Sequence, residues 1–174
     1  MKSKLIWALA AAVLAVSVAV ANVTATPAKG LVTTILAKAT IGDLNLSGYA
    51  KSSAPEASRP GGVWLALIRT LGLSDVYVVD NKIPPGGDTG WHSHPGPSLV
   101  FVVAGTVTNY ASDDRSCAPQ VYAAGSSFVD SGGGDVHMIR NESAQPAETI
   151  AVQFIPSTAS RRTEAPAPAN CPAF

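Results

Sequence analysis

Three histidines and two cysteines are the residues of this 174-residue chain whose types and spacing point to chemistry. His92 and His94 stand two apart in Thr89-Gly90-Trp91-His92-Ser93-His94, and His137 follows 43 residues after His94. On a strand, side chains at i and i+2 leave the same face, so the first two imidazoles converge on one point. Neutral imidazoles suit Fe, Mn, Ni, Cu or Zn, and two adjacent strands can hold three of them around one divalent transition metal. A lone strand histidine is ordinarily a surface or core residue. A His-x-His pair with a third histidine and none to spare favours the metal reading.

The cysteines are read through the compartment. Lys2 and Lys4 form a short positive region, Leu5 to Val20 is apolar apart from Ser17, and Ala19-Val20-Ala21 has the small-x-small form of a cleavage site. The run is shorter than the ~20 apolar residues of a membrane span. Residues 1–21 therefore read as a secretory signal peptide cut before Asn22, and the mature protein as periplasmic or secreted, with no membrane association after cleavage. Removing that segment takes two lysines and no acid. In an oxidising compartment Cys117 and Cys171, with no third cysteine to compete, are expected to pair. The bridge would tie a Pro/Ala-rich tail, which could not pack by itself, onto the domain.

The elements that must position these residues read as short strands. Val32–Leu36, Val63–Ile68, Asp75–Val79, Leu99–Val103, Thr106–Tyr110, Ser126–Val129, Val136–Arg140 and Thr149–Ile155 are rich in β-branched and apolar residues, with Gly/Pro turns between them. No stretch after residue 30 keeps a helical period. This pattern predicts an all-β fold, a sandwich or closed barrel. Residues 22–62 read as an N-terminal strand and loop region, 63–155 as the barrel, and 156–174 as the C-terminal tail. With 12 basic and 12 acidic side chains and 6% aromatics, the composition excludes a general nucleic-acid binder, which needs a basic surplus or a stacking platform.

The histidine motifs resemble those of the cupins. Gly86-Gly87-Asp88-Thr89-Gly90-Trp91-His92-Ser93-His94, then Ser98 and Gly105, is similar to the first cupin motif. Gly125, the Gly132–Gly134 run, His137 and Asn141 are similar to the second, which ends His-x-x-x-Asn. The resemblance implies a double-stranded β-helix, or jelly-roll barrel, with a metal inside. The first motif usually supplies a glutamate ligand where this chain has Ser98. The resemblance thus implies that Ser98 faces the metal without binding it, leaving a divalent ion with its full charge and favouring an anionic ligand. Three-histidine cupin sites resemble those of certain thiol, diketone and gentisate-type dioxygenases.

Other polar residues carry weaker readings. Asp88 and Asp135 share strand parity with His92 and His137, but a place in a bordering turn is favoured for each. Asp113-Asp114-Arg115 reads as a solvated hairpin loop. Tyr77, Tyr110 and Tyr122 cannot be oriented from sequence. Trp91 is expected outside the cavity and Arg140 exposed. The functional expectation is an exported metal-binding protein acting on a small molecule, as a dioxygenase- or isomerase-like enzyme. The alternative is a non-catalytic metal or small-ligand binder, and an inert interaction module is the third reading. Its weak point as an enzyme is that no general acid or base stands out.

Overall fold

The computed structural model describes residues 24–51, 63–172 and 174, so the signal-peptide reading of residues 1–21 and residues 52–62 of the N-terminal strand and loop region lie outside the described residues. Every regular element among the described residues is a strand. They run β1 (Val32–Ile41), β2 (Asn45–Lys51), β3 (Val63–Arg69), β4 (Ser74–Ile83), β5 (His92–Ser93), β6 (Ser98–Ala104), β7 (Thr106–Ala111), β8 (Gln120–Ala123), β9 (Ser127–Asp130), β10 (His137–Arg140), β11 (Ala147–Pro156) and β12 (Thr163–Glu164). No helix among them is long and apolar enough to cross a membrane.

Two five-stranded sheets, ordered β1-β4-β11-β6-β9 and β12-β5-β10-β7-β8, form the barrel, and β2 and β3 pair only with each other. Each strand expected from the sequence lies on one of these elements. The short β8 and β12, and β2, were not anticipated. β1 pairs along β4 as an edge of the first sheet, and β12, in the tail, pairs with β5 at the edge of the second.

Alternation along the strands sorts the side chains. In β11, Ala147, Thr149, Ala151, Gln153 and Ile155 are buried while the residues between them are not. The same period in β6 buries Ser98, Val100 and Val102. The inward residues make two apolar clusters, Ile83-Val102-Val107-Ile139-Ala147 and Val79-Val100-Ala151. Beyond them, toward one end of the barrel, the inward positions turn polar. That end is the site.

A third cluster lies on the outer face of the second sheet, where Trp91, Tyr110, Met138 and Cys117 meet Ala165 of the tail. Cys117 and Cys171 are joined in a disulfide across 54 residues. Closing a loop of that length stabilises a fold by about 4 kcal/mol in the chain-entropy account.

Candidate metal centre

His137 of β10 lies directly opposite His92 of β5, and His94 follows His92 on the same face. The three ring centroids are 4.4 to 5.6 Å apart, and one nitrogen from each ring lies within 4.8 Å of the others. All three side chains are buried. The turns that deliver them are close-packed. Gly132 has φ +68°, and a Cβ there would run into the backbone of Gly96, so the chain leaving His94 and the chain approaching His137 touch where only glycine fits. Thr89 fastens the same corner, its hydroxyl accepting from Ile139 N–H at 2.9 Å.

Two of the rings are oriented by backbone carbonyls. His92 Nδ1 lies 2.9 Å from Gly90 O, and His94 Nδ1 lies 2.7 Å from Arg161 O. A carbonyl can only accept, so each Nδ1 carries the proton and each Nε2 is left with its lone pair free. This is how protein metal centres fix the tautomer of a ligating histidine. Burial above all holds the three rings below the ordinary histidine pKa, with neighbouring positive charge adding to the effect at each. The rings are neutral at neutral pH, so their lone pairs are available. The residues present fit a divalent ion.

Ser98 stands on the wall beside them and is fully enclosed. Its hydroxyl donates to Asp130 Oδ2 at 3.2 Å and accepts from Gln153 Nε2 at 3.1 Å. Gln153 Oε1 in turn accepts from Arg161 Nη1 at 2.8 Å. The sequence reading left the Ser98 position open and the ion's charge uncompensated. Asp130, opposite Ser98 in the β6–β9 register, places a buried carboxylate beside it.

The cavity these groups enclose has a volume of about 130 Å³. Arg161, Arg162 and Glu164 of the tail line its mouth. Arg162 is neutralised by a two-point ion pair with Glu164, at 2.5 and 2.7 Å, and also donates to Thr89 O. Arg161 has no carboxylate partner among the described residues. Burial, then the charge of Arg162, holds its pKa below the usual guanidinium value.

The other sequence candidates lie elsewhere. Asp88 is buried beneath the N-terminal segment and pairs with Arg140 at 3.2 Å. Arg140, expected exposed, is instead half-covered, because that ion pair and the ring of Phe174 hold it down. Asp135 is exposed before β10, and Asp114 caps its own loop through Ser116 and Ala118. Tyr77, Tyr110 and Tyr122 do not line the cavity, and Trp91 packs on the far side of the sheet. Asp130 and Gln153 were missed although a signal existed, since each is a polar residue at an inward position of an apolar strand. Arg161, Arg162 and Glu164 come from a tail without a period to read.

Residues 81–153, which carry all three histidines, Ser98, Asp130 and Gln153, match the family described as Cupin domain. The match spans less than half of the chain. No curated protein matches the chain. Among solved structures, the chain is similar to a protein with a double-stranded β-helix domain from Klebsiella pneumoniae subsp. pneumoniae, at 22% identity over 53% of this chain and 76% of that one, with a TM-score of 0.45. It is similar to an RmlC-like cupin family protein from Methanocaldococcus jannaschii, at 17% identity over 47% and 71%, with a TM-score of 0.42. An oxalate oxidase is 24% identical over 45% of this chain and 41% of its own, with a TM-score of 0.40.

Proposed function

We propose that this cupin holds one divalent transition metal on His92, His94 and His137 and acts, outside the cytoplasm, on a small anionic molecule bound beside it. The observation that carries the reading is the convergence of three buried histidines, one nitrogen of each within 4.8 Å of the others, with the tautomers of two set by the Gly90 and Arg161 carbonyls. Neutral imidazoles gathered in this way suit a divalent transition metal. When bound, the ion would supply Lewis acidity and, if it is redox-active, oxygen chemistry.

The chain's own residues favour an anion and a small one. Arg161 is a desolvated cation on the cavity wall, positioned by Gln153 and not matched by a carboxylate among the described residues. The cavity, at about 130 Å³, is below the ~300 Å³ where drug-sized sites begin. The Cys117–Cys171 disulfide supports an oxidising compartment and so export.

Metal analysis of the purified protein and of a variant carrying His92→Ala and His94→Ala tests the centre. One equivalent in the first and none in the second, both folded by circular dichroism, is the expected result. Full metal content in the variant sinks the reading. Oxygen uptake across thiols, diketones and phenolic acids then tests catalysis, and anion binding without turnover would favour the non-catalytic alternative.

A further inference from the structure

We infer that Asp130 is a ligand of the same ion, a carboxylate supplied from β9 in place of the one that Ser98 lacks on β6. The inference rests on the metal reading above and extends it by one residue. Asp130 Oδ2 lies 3.9 Å from His94 Nε2, and Asp130 Oδ1 lies 3.8 Å from His137 Nδ1. His94 Nδ1 is committed to the Arg161 carbonyl, so the Nε2 facing Asp130 presents a lone pair. A carboxylate oxygen presents lone pairs too. Two acceptors therefore face each other inside the barrel, too far apart for a hydrogen bond and with no proton of their own to share.

Gln153 does not resolve this opposition. Its Nε2 is nearly equidistant from the two His94 ring nitrogens, at 3.5 and 3.4 Å, and so is off the axis of the Nε2 lone pair. A cation does resolve it. Metal–nitrogen and metal–oxygen bonds run about 2.0–2.2 Å, so two ligands of one ion lie at most about 4.4 Å apart. Both measured separations fall inside that limit.

The hydrogen bonds around Asp130 point the same way. Arg161 donates to Gln153, Gln153 to Ser98, and Ser98 to Asp130 Oδ2, while Gly132 N–H donates to Oδ1 at 2.9 Å. Each carboxylate oxygen thus has one donor that fixes it and further lone pairs for the cavity. The Ser98 hydroxyl has its proton on Asp130 and a lone pair on Gln153, which leaves it a support for the carboxylate.

Calorimetric titration with Mn²⁺ and, separately, with Zn²⁺ tests the assignment on the purified protein, on Asp130→Asn and on the His92→Ala, His94→Ala double variant. Asp130→Asn should lose at least about tenfold in Mn²⁺ affinity and distinctly less for Zn²⁺, because the harder ion depends more on a carboxylate. A merely structural role would weaken both ions alike. Unchanged binding, or an equal loss for both ions, overturns Asp130 as a ligand while the histidine centre stands. A wild-type protein that binds neither ion overturns both. Asparagine is isosteric and still accepts from Gly132. Should that variant nonetheless fail to fold, the infrared difference spectrum of the wild-type protein on Mn²⁺ binding must show a shifted carboxylate stretch, and its absence overturns the assignment.

Discussion

The histidine centre and the β2–β3 hairpin invert the usual rule about which side chains a fold covers. At the centre the side chains are polar and shielded, with His92 3% exposed. On the hairpin they are apolar and open, with Leu46, Tyr49, Trp64, Leu65 and Ile68 all exposed and Leu67 72% exposed. Among the described residues the hairpin pairs with no other strand. The difference teaches that burial in this molecule follows sheet position, and hydropathy only within the barrel's apolar half. Asn141 is a sheltered polar side chain satisfied on every side. It is fully enclosed, donates to Ile83 O and Gln145 O, and accepts from the Ser143 amide and hydroxyl.

Substitutions on the two sides should separate them by stability. The largest effect is expected from Cys117→Ser with Cys171→Ser, which releases the tail and costs about 4 kcal/mol in denaturant unfolding. If the midpoint of unfolding does not move, the tail is not held by the bridge. Asn141→Ala comes next, at about 2–3 kcal/mol, because it strands the Ile83 carbonyl that the buried amide satisfies and leaves the Ser143 amide without its acceptor. A loss below 1 kcal/mol would mean water replaces the amide. Ser98→Ala removes two hydrogen bonds between partners that stay buried, and about 2 kcal/mol should be missing in the metal-free protein. A variant as stable as the parent would show that Asp130 and Gln153 re-pair without it. Leu67→Lys on the hairpin should change thermal stability by no more than about 0.5 kcal/mol. A drop comparable to that of Ser98→Ala would mean that Leu67 is covered in solution and would end the contrast.

The barrel was legible because its strands advertise themselves. Val100 and Val102, or Thr149 and Ala151, repeat at the period of a pleat, and glycines mark the corners. The convergence of His92 and His94 follows from the same period, and the third histidine was fixed by there being no other. Asp130 was equally readable in principle, since it follows Phe128 at the inward parity of β9 while Val129 points out. What hid it was attention to the position that the cupin motif reserves for a carboxylate. Ser98 occupies that position, and the neighbouring strand fills the gap across the ladder, where no linear motif looks. Arg161 and Glu164 were hidden for another reason. They reach the cavity because the tail is fastened by Thr26, Ala165 and a disulfide, contacts that link residues far apart in the chain.

The tail's mode of attachment has a consequence for how such a site can diversify. The histidines, Asp130 and their turns are woven into the barrel, and changing their spacing would disturb two sheets. Arg161, Arg162 and Glu164 sit on a strap held at its edges. The strap can change in charge at Arg162 and Glu164, but its Arg161 carbonyl also sets the His94 tautomer, so its length is tied to the weave beneath it. Choice of ion and choice of guest are therefore coupled traits in this architecture, because Arg161 on the strap serves both.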